Sequence, residues 1–184
     1  MKSLGLLIAR LVLGGYLAVH GAQKLFGSFG GRGLDGTGAA FDSLGLRPGR
    51  VMAGLAGASE FGGGLLTASG IAFPLGPLVL IGTMAVAATT HRAKGPLAAG
   101  GGFELPLTNL AAAAALAAAG PGTLRLGPHL SPRLARRAAL GGVVLAGVSI
   151  YQLLSARPAE APAVADVSND EPAETGASEP AEAD

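Results

Sequence analysis

The chain has 184 residues, 49% apolar and only 14% charged, with a mean hydropathy of +0.48, whereas a water-soluble domain carries about a quarter charged residues. It has no cysteine, which excludes disulfides, thiolate chemistry and Cys-ligated zinc or iron–sulfur centres. Eight of the twelve acids follow Arg157 and no base does, so thirteen Lys and Arg face four acids up to that point; these bases are scattered between apolar runs without a basic stripe, which argues against nucleic acid as a partner and suits short loops beside lipid.

The first apolar run, Leu4–Phe26, has the roughly 20 residues that a membrane span needs. A signal peptide is the rival reading, with Lys2 as its basic start and Ala18–Ala22 as its cleavage region. Arg10 interrupts that design and the run continues past Ala22, so a retained helix is expected. The Gly-rich connection Gly27–Arg50 follows. Within it, Thr37–Leu44 reads as a short interfacial helix, with Thr37 as N-cap and Gly45 as its stop. A second span is expected over Val51–Ala72 and a third over Leu75–His91, and the short Pro-containing link between them implies antiparallel neighbours. After the basic loop Arg92–Gly102, a fourth span over Phe103–Ala119 ends at Gly120-Pro121. A second loop, Gly122–Arg133, leads to a fifth apolar segment, Ala138–Ala156, in which Ala138, Gly142 and Ala146 make a small-residue ridge for helix packing. From Pro158 onward Pro, Ala and Glu dominate, and this acidic tail is expected to be disordered. The fold class is therefore all-α: an integral membrane four-helix bundle (4–128) with an additional C-terminal transmembrane helix (134–157) and a disordered acidic tail (158–184).

Ionisable groups inside a span are costly and turn toward the bundle interior. The first helix carries Arg10, His20 and Lys24, which at about 100° per residue fall on one face. The second carries Glu60, the third ends in His91, and the fourth begins with Glu104 and carries Asn109. Antiparallel order puts His20, Lys24, His91, Glu104 and Asn109 in the same half of the bundle. Glu60 is expected near the centre, within reach of His20 and even of Arg10, and must be paired or protonated there. Three readings stand side by side. One is a buried network that fixes helix register. Another is a site for a quinone headgroup or small anion, with proton exchange through Glu60 and His20. The last is a metal site built from His20, Glu60, His91 and Glu104, without a tight motif such as HExxH behind it. Gly31-x-Gly33-x-x-Gly36 matches the dinucleotide fingerprint by letter but follows a membrane helix, so it reads as flexible loop. Ser59, Thr67 and Ser69 lack any nucleophile elbow.

The run of Arg10 and Gly14, His20-Gly21 with Lys24, Phe29-Gly30-Gly31, Leu44-Gly45, Pro48, Glu60 with Gly63, His91, Gly95, Gly102, Glu104 and Gly120-Pro121-Gly122 resembles the DoxX family of small bacterial membrane proteins, over roughly residues 4–128. The resemblance implies a four-helix core in the bacterial inner membrane. Relatives include the DoxD-type subunit of thiosulfate:quinone oxidoreductase and members linked to a membrane oxidoreductase complex with superoxide dismutase and a sulfurtransferase. The Asp usual near the end of the GPG stretch is replaced by Thr123-Leu124-Arg125-Leu126. The expected function is a redox-associated membrane component that handles a quinone or small sulfur/oxyanion species, together with soluble redox partners and with homo-oligomers open. A non-catalytic scaffold or assembly factor is the alternative, and a proton or small-solute pathway a third.

Overall fold

The computed structural model describes residues 1–156, so the acidic tail expected over 158–184 lies outside the described residues. Six α-helices occur among the described residues: α1 (Lys2–Phe26), α2 (Gly33–Ser43), α3 (Gly49–Ser69), α4 (Leu75–His91), α5 (Glu104–Ala119) and α6 (Pro132–Ser155). No strand occurs among the described residues, and the expected all-α class stands.

Small residues decide how the helices meet. A Cβ added at Gly14 of α1 would lie 2.5 Å from the Gly64 carbonyl oxygen of α3, and one at Gly64 would lie 2.5 Å from that of Gly14. Seven residues on, Gly21 of α1 meets Gly57 and Phe61 of α3 in the same way. The two helices are therefore antiparallel and in backbone contact, as small-residue ridges allow. In turn α3 packs on α4, α4 on α5, and α5 returns to α1. Leu13, Leu17, Leu80, Met84, Ala113 and Leu116 fill the space where α1, α4 and α5 meet. Outside this ring, α2 lies on α3 and α1, and α6 packs along α4. The end where α1 begins is called end A, and the end where it stops is end B.

Three boundaries differ from the sequence reading. The short helix starts at Gly33, and Thr37 is buried inside it rather than capping it. Asp35 in its first turn pairs with Arg50, an acid where the helix dipole favours one, and this carries the helix upstream. Gly45 does stop it, with φ 87° and with the Leu46 N–H donating to the Phe41 carbonyl at 3.0 Å. Helix α3 ends at Ser69, where Gly70 takes φ 72°. Helix α6 begins at Pro132, six residues before Ala138, because Pro suits a first helical position and Arg133, Arg136 and Arg137 can reach past an apolar edge to water on their long stems.

By length and composition, two helices among the described residues can cross a membrane: α1 and α6. At ~1.5 Å per residue, α4 with 17 residues and α5 with 16 are shorter than a full span. The outer faces of the two long helices are exposed and apolar: Leu4, Ile8, Leu11, Val12 and Val19 on α1, and Leu140, Val143, Val144, Val148 and Tyr151 on α6. Such patches need lipid or protein to cover them.

Candidate functional site

Lys24, in the last turn of α1, pairs with Glu60 of α3, with its Nζ donating to Oε2. Glu60 is 4% exposed. The approach depends on Gly57, because a Cβ there would sit 2.8 Å from the Leu25 side chain and 3.3 Å from the Lys24 Cβ. A bare carboxylate inside the bundle would be costly, and Lys24 supplies its counter-charge.

The pair lies at the edge of a cavity of about 370 Å³. Val79, Gly82, Thr83, Val86, Ala87, Thr90 and His91 of α4 form one wall. Met52, Leu55, Ala56 and Ser59 of α3 form another, and Ala138, Gly141, Gly142, Leu145, Ala146 and Ser149 of α6 a third. Phe41 of α2 and Leu46 border it at end B. Apolar walls interrupted by a few polar groups suit a small amphipathic molecule. The Thr83, Thr90 and Ser149 hydroxyls donate to carbonyls of their own helices, at 3.0, 2.9 and 2.9 Å. They turn their remaining lone pairs outward as acceptors. His91 Nδ1 lies 2.7 Å from the Gly101 carbonyl oxygen. A carbonyl only accepts, so Nδ1 carries the hydrogen of this bond.

The structure thus brings together three of the residues singled out from sequence: Lys24, Glu60 and His91. The other four are elsewhere. His20 packs edge-on against Tyr16, with ring centroids 4.5 Å apart, and does not line the cavity. Glu60 is taken by Lys24 because the two helices pack with Gly57 beneath Lys24. Glu104 is exposed and accepts the Ala98 N–H at 2.9 Å, which ties down the α4–α5 connection. Asn109 is half-buried and outside the cavity lining. Arg10 is fully buried at end A, where it donates to the Leu124 carbonyl, so the expected reach from Arg10 to Glu60 does not occur. His20, Glu60, His91 and Glu104 form no metal-holding cluster, and among the described residues no group of three or more such ligands does.

Sequence reasoning missed Thr83, Thr90 and Ser149, since hydroxyl residues on apolar helices normally satisfy themselves on the backbone. It took the ridge of Ala138, Gly142 and Ala146 for packing alone. Gly82 of α4 does approach the Gly142 carbonyl oxygen and the Ala146 Cβ, at 3.6 and 3.9 Å for an added Cβ. The same small side chains also leave the cavity open.

The comparisons with known proteins bear on this geometry. No curated protein and no solved structure matches the chain. Residues 5–93 match the DoxX family model. The match takes in α1 to α4, with Arg10, His20, Lys24, Glu60 and His91, and stops before α5 and α6. Family membership and the exposed apolar helices make this a membrane protein. Its third cavity wall, α6, lies outside the matched residues; through α1 to α4 the chain belongs to the DoxX family.

Proposed function

We propose that this chain is a multi-pass protein of the bacterial inner membrane that holds a quinone-class molecule in the cavity between α3, α4 and α6, as part of a redox system with soluble partners. In this reading α1, α3, α4 and α5 form the DoxX-like core, and α6 adds a further span. The observation that carries it is an apolar cavity bordered by a buried ion pair. At about 370 Å³ the space is at the small end of ligand pockets, roughly 300–1,000 Å³. It suits a headgroup and the start of an apolar tail, with the rest of the tail in lipid. A small sulfur oxyanion fits these walls less well, because so much apolar surface offers it no hydrogen bonds. A quinone, when bound, supplies electron transfer coupled to proton uptake. Lys24 is placed to donate a hydrogen bond to a ring oxygen, Glu60 to exchange a proton beside it, and His91 to accept or pass one.

Quinone retained through purification in mild detergent is the direct measurement. Glu60→Gln should lower retention about tenfold or more, the weight of one good charged contact. Gly142→Leu should do the same by filling the cavity, since an added Cβ at Gly142 meets nothing within 4 Å and the helix is free to keep its packing. His20→Ala should leave retention unchanged. A wild-type protein that carries no quinone, or equal retention in all four proteins, sinks the proposal.

One observation favours a second reading, a scaffold or assembly factor: Lys24 and Glu60 already satisfy each other. A pair that serves register alone is replaceable by apolar residues of similar volume. If Lys24→Met/Glu60→Met folds and supports the protein's partners in cells as the wild type does, the scaffold reading is favoured.

A further inference from the structure

The far end of the bundle holds a second arrangement that the cavity does not use. Arg10 lies about 21 Å along α1 from Lys24 at ~1.5 Å per residue, and it is fully buried. One of its terminal nitrogens donates to the Leu124 carbonyl. Its Nε and Nη1 are closed from solvent and have no acceptor. Gly70 leaves the space that the guanidinium fills, because a Cβ there would collide with Nη1 and would stand 2.9 Å from the Arg125 Cβ. Two arginines therefore converge on one glycine.

No carboxylate among the described residues answers them. The four acids before Arg157 are all engaged: Asp35 with Arg50, Asp42 with the Gly49 N–H at 2.7 Å, Glu60 with Lys24, and Glu104 with the Ala98 N–H. None of the four is at end A. Burying a charge without a counter-charge is costly, so an anion beside the two arginines would be stabilising.

The connection that follows α5 passes beside Arg10. Backbone bonds fasten it to the α3–α4 turn: Leu126 N–H to the Ser69 carbonyl at 3.0 Å, Ala72 N–H to Pro128 at 3.0 Å, and Leu130 N–H to Phe73 at 2.9 Å. It frames a basin of about 640 Å³, with Thr123, Arg125 and His129 among its lining residues. Arg125 spends one nitrogen on the Gly127 carbonyl and has further N–H groups to offer, since a guanidinium carries five.

We propose that this basin binds a tetrahedral oxyanion of the phosphate class, held by Arg125 and His129, whose negative charge also offsets the buried Arg10 guanidinium that shares Gly70 with Arg125. Arginine forks match phosphate oxygens in charge and shape. A free anion and a phosphomonoester lipid headgroup present the same chemistry. The proposal stands apart from the quinone reading, at the other end of the bundle.

The test uses the full chain. Thermal unfolding in neutral detergent is followed with sodium phosphate and, at equal ionic strength, with sodium chloride; in parallel, nanodiscs of phosphatidylcholine with and without phosphatidate are opened in native mass spectrometry. Stabilisation by phosphate over chloride identifies a free-anion site, and retained phosphatidate identifies a headgroup site. In either case Arg125→Gln, a change at an exposed residue, should weaken binding about tenfold or more, and Arg10→Met, which removes the buried charge nearby, should weaken it as well. The proposal is overturned if stability follows ionic strength alone and no phosphatidate is retained. It is also overturned if Arg125→Gln binds as the wild type does, or if a folded Arg10→Met keeps the full response.

Discussion

Lys24 and Glu60 show how one contact can be both necessary and replaceable. Neutralising Lys24 alone leaves a carboxylate stranded in the bundle, and breaking such a pair from one side costs about 3–5 kcal/mol. Lys24→Met should therefore lower the unfolding midpoint sharply. Lys24→Met/Glu60→Met should regain most of the loss, because an apolar pair of similar volume is often neutral or better. Thermal unfolding in one detergent, run on Lys24→Met, Glu60→Met and the double variant, checks the non-additivity. Two single variants that simply sum to the double would mean that the groups do not interact.

At the scale of a helix, α1 is two-sided at neighbouring glycines. Gly14 faces α3 at backbone distance, while an added Cβ at Gly15 meets nothing within 4 Å. Gly15→Ala should stabilise the protein by up to about 1 kcal/mol, the difference in helix propensity. Gly14→Ala gains the same propensity but drives a methyl against the Gly64 carbonyl and the Ala68 nitrogen. Both of those neighbours are backbone and cannot swing aside. Overpacking of this kind costs about 1–3 kcal/mol, so Gly14→Ala should be a net loss. Unfolding midpoints of opposite sign for adjacent Gly→Ala changes are the expected outcome. Equal shifts would show that α1 and α3 are not in contact there.

The whole molecule offers a clean test of its path through the membrane, because it contains no cysteine. Leu97 in the α4–α5 connection and Leu126 in the α5–α6 connection are both exposed, at 66% and 83%, and α5 separates them. If α5 crosses the bilayer, Leu97→Cys and Leu126→Cys should react with a membrane-impermeant maleimide from opposite sides in intact and inverted vesicles. Labelling from the same side would remove α5 from the spans and, with it, the multi-pass reading. Helix α6 belongs to this scale too. It packs on α4 and lies beyond the residues that match the family, yet it supplies one wall of the cavity.

What the sequence determined by itself was the solvent and the helices. Long apolar runs, scarce charge and Gly or Pro breaks are local signals, and they give the helices that the structure shows, with shifts of a few residues where Gly33, Gly70 and Pro132 set the ends. It also marked Lys24, Glu60 and His91, since ionisable residues are conspicuous against an apolar background. Which of these groups meet was left to the tertiary structure. Helical periodicity places a residue on a face and at a depth, but the choice of Lys24 over His20 for Glu60 turns on the missing side chain at Gly57. The fate of Arg10 depends on a distant loop folding back over Gly70. The cavity is space left between three helices, set by their separation and by small side chains on α6, and no local pattern in one chain segment encodes a gap between three.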